Sequence, residues 1–163
     1  IGTTHVYNLL PEIIDHACLG DAGETFKEAM GATEVAHLLE HVTIELIART
    51  GLAGDISCGR TWEVAGEPRT YDVQLSCPDD VLVASALSSA AWILQWAYAG
   101  AVDPKPDVEA IVSGIRELVE HAEEIASREA AEDAAAKEAA GPEGVADQEG
   151  DCADTASTEN EEA

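Results

Sequence analysis

Apolar residues recur at helical spacing along three stretches of the chain and at strand spacing along two. In residues 34–49, Val35, Leu38, Leu39, Val42 and Leu46 fall on one side of a helix at about 100° per residue. Thr33 precedes this stretch as a capping residue and Gly51 follows it, where a glycine can turn the chain left-handed, so the spacing predicts a long helix between them. Residues 60–64 and 70–76 alternate apolar and polar positions (TWEV, YDVQL), and Gly66, Glu67 and Pro68 between them read as the loop of a β-hairpin. Pro78 introduces the apolar run VLVASALSSAAWILQWAYA over residues 81–99. That run is long enough to span a bilayer, but Ser85, Ser88, Ser89 and Gln95 within it, and Asp79 and Asp80 before it, favour a buried central helix.

Beyond the breaker-rich AGAVDPKPD, a last stripe of Val108, Ile111, Val112, Ile115, Leu118, Val119, Ala122 and Ile125 keeps the helical period. Two short helices are expected earlier, one from Pro11 to about Cys18 and one capped by the Thr25 and Glu28 pair. The pattern adds up to an α+β fold, a small antiparallel sheet (the β-hairpin) packed with helices.

Charge divides the chain into two regions. Of its 163 residues, 33 are Asp or Glu and 8 are Lys or Arg, a net charge of −25. So few bases cannot neutralise a phosphate backbone, which excludes nucleic acid as a default partner, and the same charge argues against an anionic membrane. Residues 129–163 alone hold 12 acids and one lysine. Past Ala140 the sequence lacks Leu, Ile, Phe, Trp and Tyr, and such a stretch cannot bury enough apolar surface to offset its conformational entropy. The expected organisation is a folded domain over residues 1–130, then the helix end and a disordered acidic tail over residues 131–163. Cys18, Cys58, Cys77 and Cys152 form no CxxC pair and no disulfide framework, which points to a reducing, cytoplasmic setting. No secretory leader pattern opens the sequence as given.

The chemistry lies in the long helix, where His37, Leu38, Leu39, Glu40 and His41 spell HxxEH. Residues four apart share a helical face, so both imidazoles can reach one ion while Glu40 stands beside them. This is the inverted form of the HExxH zinc signature. Two neutral imidazoles suit Zn²⁺, and an adjacent carboxylate can take a proton from a metal-activated water, which points to hydrolysis. On the helical wheel His37, Glu40 and His41 fall roughly opposite the apolar stripe, with Glu45 flanking His41. The motif is therefore expected on a cleft wall rather than in the core.

Zinc needs a third protein ligand. Glu45 lies about 12 Å along the axis from His37 and is assigned a supporting place, orienting His41 or pairing with Arg60. Glu117 points away from the apolar stripe of its own helix. His16 is the leading candidate for the third ligand, with Cys58 and Cys77 behind it. His5 and His121 carry no motif and read as structural or solvated.

The stretches LPEIIDHACLG, FKEAM, HLLEHVTIEL, TGLAGDISCGRTWEV, YDVQL and PDVEAIVSGIRELVE resemble, in order, the N-terminal domain of cyanophycin synthetases, over roughly residues 9–125. That domain carries patterns such as LPxLxEHxCSxG, HxxEHVALELQxLAGMxVGFGRT and DVEAxLxxLREL. Ile56, Ser57 and Cys58 stand here where the family has VGF, and Ile47 where it has Gln. Cyanophycin synthetases continue into ATP-grasp and Mur-ligase-like modules. These 163 residues carry neither, and no GxxxxGK[ST] loop, so no ATP-dependent ligation is expected of them.

The resemblance implies a zinc metallopeptidase-like domain that trims polymer into primers in some synthetases and a polymer-docking platform in others. On the first version His37 and His41 take the metal, Glu40 is general base, and Arg60 binds a substrate carboxylate or steadies Glu45. Cyanophycin is a polyaspartate decorated with Arg, whose guanidinium groups an acidic surface attracts. The expected function is thus zinc-dependent cleavage of cyanophycin-like or Arg/Asp-rich peptides. The alternatives are a noncatalytic module that docks polymer or a separate ligase protein, and a thioether-cleaving site of the LuxS-like kind.

Overall fold

The computed structural model describes residues 1–20, 23–54 and 59–140. The chain divides into two units, Ile1–Ser127 and Arg128–Ala163. Among the described residues five α-helices and two antiparallel strand pairs make an α+β fold. Helix α1 (Gly2–Leu9) is followed by a 3₁₀ turn at Pro11–Asp15, strands β1 (Ala17–Gly20) and β2 (Gly23–Thr25), and a short helix α2 (Phe26–Ala29). Next come α3 (Val35–Thr50), the hairpin β3 (Gly59–Glu63) and β4 (Tyr71–Leu75), α4 (Asp80–Tyr98) and α5 (Val108–Ala140).

Helix α3 forms where its stripe predicts and stops at Gly51, whose φ of 71° is the left-handed turn that only glycine takes without strain. The hairpin pairs Arg60 with Gln74 and Trp62 with Asp72, which leaves Trp62 on the exposed face and puts the half-buried Tyr71, Val73 and Leu75 on the other, so the apolar positions of the two strands do not share a face. Asp79 caps α4 by accepting a 2.8 Å hydrogen bond from the Leu82 backbone N–H. Among the described residues α4 is the one helix long and apolar enough to cross a membrane. Here Leu82, Ala86, Ala90, Ile93, Leu94 and Ala97 bury one side of it in the core with Leu38, Val42 and Leu46 of α3.

On α5 the predicted stripe is realised by Val108, Val112, Ile115 and Val119, which are buried, whereas Leu118 is exposed. The helix runs past residue 130 to Ala140 because its later turns, rich in Ala, Glu and Lys, are good helix formers without a core to face. Residues 128–139 are exposed. The expected disordered tail past residue 140 lies outside the described residues.

The beginning of the chain departs from expectation. A helix from Pro11 to Cys18 was predicted; the chain instead makes one 3₁₀ turn and becomes extended at His16, with φ −66° and ψ 136°. Cys18 consequently sits on a strand. Helix α1 was not foreseen, since its apolar stripe is only Val6 and Leu9, continued by Leu10 just past its end. Thr25 does occupy the N-cap of α2, yet its side chain caps nothing, and the helix is held by the fully buried ring of Phe26. Thr33 does not cap α3 either. Glu34 takes the N-cap position, and the Thr33 hydroxyl turns to His37 instead.

Candidate functional site

Helix α3 carries the HxxEH motif into the interior. From residue 40 to residue 47 every side chain is buried, and His41 is completely so. This corrects the expectation of a cleft wall: the wheel separates polar from apolar faces, and both faces of α3 are covered. The apolar face meets α4. The polar face meets Phe26, the extended chain at His16 and Cys18, and strand β3, where it finds partners for its polar atoms. Among the described residues no buried side-chain nitrogen or oxygen lacks a hydrogen-bond partner. His16, Cys18 and His37 are the partly exposed members of the group.

The imidazoles of His37 and His41 face each other, with their Nε2 atoms 3.0 Å apart. Cys18 Sγ lies 3.4 Å from His41 Nε2. These three donor atoms all fall within 4.8 Å of one another, and the group can hold a metal ion. The outward nitrogens are held elsewhere: His37 Nδ1 is 2.9 Å from the Thr33 hydroxyl, and His41 Nδ1 is 3.3 Å from Nδ1 of His16. Hydrogen bonds on the outer nitrogens that aim the inner ones at a common point are the usual support of a metal-binding histidine. Phe26 closes the back of the group, its ring centroid 4.3 Å from that of His41.

His16, expected as the third donor, stands on the opposite side of the His41 ring from Cys18 and directs its own Nε2 to Glu45 Oε2 at 2.9 Å. Cys77 packs at the edge of the core before α4, with Sγ 3.9 Å from the Asp79 carbonyl, and takes no part. Cys58 lies outside the described residues. Cys18 is the member that sequence reasoning missed. Along an extended chain residues two apart point the same way, so His16 and Cys18 both reach His41, one at each ring nitrogen. Read as a helix, the same two residues diverge.

Glu40 is 3% exposed and accepts a hydrogen bond from the Thr61 hydroxyl on β3. The strand approaches closely because residue 59 is glycine: a Cβ there would come within 2.6 Å of Glu40 Cγ and 2.8 Å of Ile44 Cδ1. Arg60 faces the other way, exposed on the outer side of β3 with its guanidinium carbon 5.8 Å from the Trp62 ring centroid. It does not pair with Glu45, one of the two expectations for that residue. Glu45 accepts instead from Arg49 Nε at 2.7 Å and from His16. Arg49 also reaches Glu12 at 2.6 Å and Glu109 at 3.5 Å. Glu117 remains on the outer face of α5 beside Ser113. His5 is structural, its Nδ1 2.9 Å from the Ala97 carbonyl, and His121 is exposed.

These surroundings set the protonation of the group. Burial, with His37 and His16 alongside, pushes the His41 imidazole down to about 3, so it is neutral and offers a lone pair. Burial pushes the Glu40 carboxyl above the usual carboxylate range, against the Thr61 hydrogen bond and the nearby His37 and His16. The Cys18 thiol is raised by burial and then by the carboxylates of Glu40 and Glu28. For Glu45 burial acts upward, but the hydrogen bonds from His16 and Arg49 outweigh it and hold the carboxylate below its ordinary range. The arrangement is a soft-and-borderline donor set of one thiol and two imidazoles, with a proton-accepting carboxyl next to it.

Residues 3–98 match the family model of the cyanophycin synthase-like N-terminal domain. The matched span contains Cys18, His37, Glu40, His41, Glu45 and Thr61 and ends before α5. No curated protein matches the chain. With more than half of its length covered and every member of the α3 group inside the match, this chain belongs to the cyanophycin synthase-like N-terminal domain family.

Proposed function

We propose that the domain is a zinc-dependent, metallopeptidase-like hydrolase acting on cyanophycin-like or other Arg/Asp-rich peptides. The observation that carries this reading is the convergence of His37 Nε2, His41 Nε2 and Cys18 Sγ beside the Glu40 carboxyl. Around a tetrahedral zinc, with Zn–N about 2.0–2.1 Å and Zn–S about 2.3 Å, neighbouring nitrogens stand roughly 3.3 Å apart and nitrogen and sulfur roughly 3.6 Å. Two of the separations here, 3.0 Å and 3.4 Å, are within a few tenths of an ångström of those values, and the third lies within 4.8 Å. Two imidazoles and a thiol are ligands that zinc prefers over the hard cations Mg²⁺ and Ca²⁺.

Zinc bound there supplies Lewis acidity and a water acidified toward neutral pH. Glu40, raised by burial, is a stronger proton acceptor than a solvated carboxylate and is suited to take a proton and return it to a leaving amine. Thr61 fixes Oε2 of Glu40, which orients the carboxyl for that exchange. Arg60 and Trp62 offer a cation and an aromatic face on the outer side of β3, where a substrate carboxylate would be held. The net charge of −25 favours approach of a guanidinium-bearing chain.

The deciding experiment measures zinc content by elemental mass spectrometry together with cleavage of cyanophycin and Arg/Asp-rich peptides. Wild type should hold about one zinc per chain, and His41→Ala should hold none. Glu40→Gln should keep zinc and lose turnover. Retained turnover in Glu40→Gln, or no zinc in the wild type after zinc is supplied, would overturn the reading.

A further inference from the structure

A carboxylate offers only lone pairs, so at the His16–Glu45 contact the hydrogen belongs to His16 Nε2. The other Glu45 oxygen is occupied by Arg49 Nε–H at 2.7 Å, which prevents the carboxylate from turning away. A neutral imidazole that carries its hydrogen on Nε2 has a lone pair on Nδ1. With His16 neutral, its Nδ1, 3.3 Å from His41 Nδ1, accepts, and the hydrogen in that contact belongs to His41. His41 Nε2 is then a lone pair, facing Cys18 and His37.

The far side of the group follows the same logic. The Thr33 hydroxyl lies 3.4 Å from the Glu34 carbonyl and 2.9 Å from His37 Nδ1; when it donates to the carbonyl, it accepts from His37 Nδ1–H. His37 Nε2 is also a lone pair. With both Nε2 atoms as lone pairs 3.0 Å apart, a shared proton or a metal ion between them relieves their repulsion, and the Cys18 thiol 3.4 Å from His41 Nε2 is the other donor at hand.

We propose that Glu45 and Arg49 act as positioning residues that fix the tautomer of His41 through His16, holding its Nε2 lone pair toward Cys18 and His37 to receive a metal ion. The proposal rests on the reading of Cys18, His37 and His41 as a metal site. It gives the polar end of α3 a task that neither the HxxEH motif nor the ligand set includes. Arg49 is itself anchored by Glu12 at the 3₁₀ turn and by Glu109 on α5. A glutamine at position 45 can donate as well as accept. His16 is then free to place its hydrogen on Nδ1, which drives the His41 hydrogen onto Nε2 and blocks that ligand atom.

Two readouts on full-length protein test this. Long-range ¹⁵N–¹H NMR of the metal-free protein reports the histidine tautomers, and competition with a chromophoric chelator gives the zinc affinity. His41 should be the Nδ1–H form in the wild type. Glu45→Gln should move it toward the Nε2–H form and weaken zinc binding about 10- to 100-fold, the usual loss when such a supporting partner is removed. Arg49→Met, which leaves the carboxylate in place but frees it to turn, should move both readouts the same way by less.

His37→Ala separates the relay from the metal: zinc binding should be lost while His41 stays Nδ1–H. A His41 found as Nε2–H in the wild type overturns the relay, as does a Glu45→Gln protein with unchanged tautomer and affinity. Should Glu45→Gln not fold, the wild-type tautomer and Arg49→Met still decide. A wild type that binds no zinc yet keeps His41 as Nδ1–H overturns the metal reading alone and upholds the relay.

Discussion

The Thr61 hydroxyl donates a hydrogen bond to Oε2 of Glu40, joining strand β3 to the middle of helix α3 at a carboxyl almost closed off from solvent. Thr61→Val removes the donor and keeps the shape, leaving one buried oxygen without a partner. Such a loss costs about 1–3 kcal/mol. Burial raises the Glu40 carboxyl and this bond lowers it, so the variant should also carry a Glu40 that protonates at higher pH than in the wild type. Urea unfolding at unchanged slope measures the first effect and carboxyl NMR titration the second. Thr61→Ser should restore both, and a Thr61→Val protein of wild-type stability would show that the bond contributes nothing net.

Gly59 governs the same junction by its lack of a side chain. An alanine Cβ would stand 2.6 Å from Glu40 Cγ, 2.7 Å from Glu40 Oε1 and 2.8 Å from Ile44 Cδ1, distances that force either the strand or Glu40 to move. Overpacking of this kind costs about 1–3 kcal/mol. Gly59→Ala should therefore be destabilised. Its Glu40 should also lose the Thr61 partner, so combining it with Thr61→Val should cost less than the sum of the two. Simple additivity in urea unfolding would show that the two positions act independently.

The motif and its helix were legible because a stripe at 3.6-residue spacing, a glycine stop and two histidines four apart are local signals. The hairpin was legible for a similar reason, since alternation and a Gly-Glu-Pro loop define it without reference to the rest of the chain. Cys18 was not. Pro11 suits a helical first turn, but pairing of β1 with β2 and packing against β3 and α3 make the chain extended from His16 onward, which is what brings Cys18 to His41. The burial of HxxEH was hidden too, because a helical wheel shows polarity but not what covers it. Glu45 lies apart from the group of Cys18, His37 and His41, and its partner Arg49 sits four residues along the same helix, a spacing that could have signalled the pair in place of the distant Arg60.

At the end of α3 the last carbonyls have no partner within the helix, and Arg116 from α5 supplies one. Its Nε donates to the Thr50 carbonyl at 2.8 Å and its Nη2 to the Arg49 carbonyl at 2.7 Å. A cation at this end also complements the helix dipole. Arg116→Met keeps much of the side-chain packing and removes both charged hydrogen bonds; because Arg116 is exposed and the freed carbonyls can turn to water, the two together are worth about 1–2 kcal/mol. Thermal unfolding should drop by several degrees. Arg116→Lys, which keeps the charge but not the two-armed geometry, should recover part of the loss, and a variant with the melting temperature of the wild type would remove Arg116 as a clamp on α3.

Glu45 predicts how stability changes with pH. Its carboxyl is held below the ordinary value of 4.5 in the folded chain, by His16 and Arg49 against the effect of burial, with Glu12 and Glu109 the other charged groups around Arg49. Above pH 4.5 the group is ionised in both folded and unfolded chains, and its full contribution is present. As pH falls below that value the unfolded chain takes up the proton first, so stability declines until the folded carboxyl also protonates. One proton sets a maximum slope of about 1.4 kcal/mol per pH unit. Other carboxylates titrate in the same window, so the informative quantity is the difference from Glu45→Gln. That variant should be less stable than the wild type at neutral pH, and the gap should shrink as pH drops below 4.5. Urea unfolding of both proteins on either side of that pH gives the answer. A gap that stays constant would mean that Glu45 stabilises the fold by its shape and not by its charge.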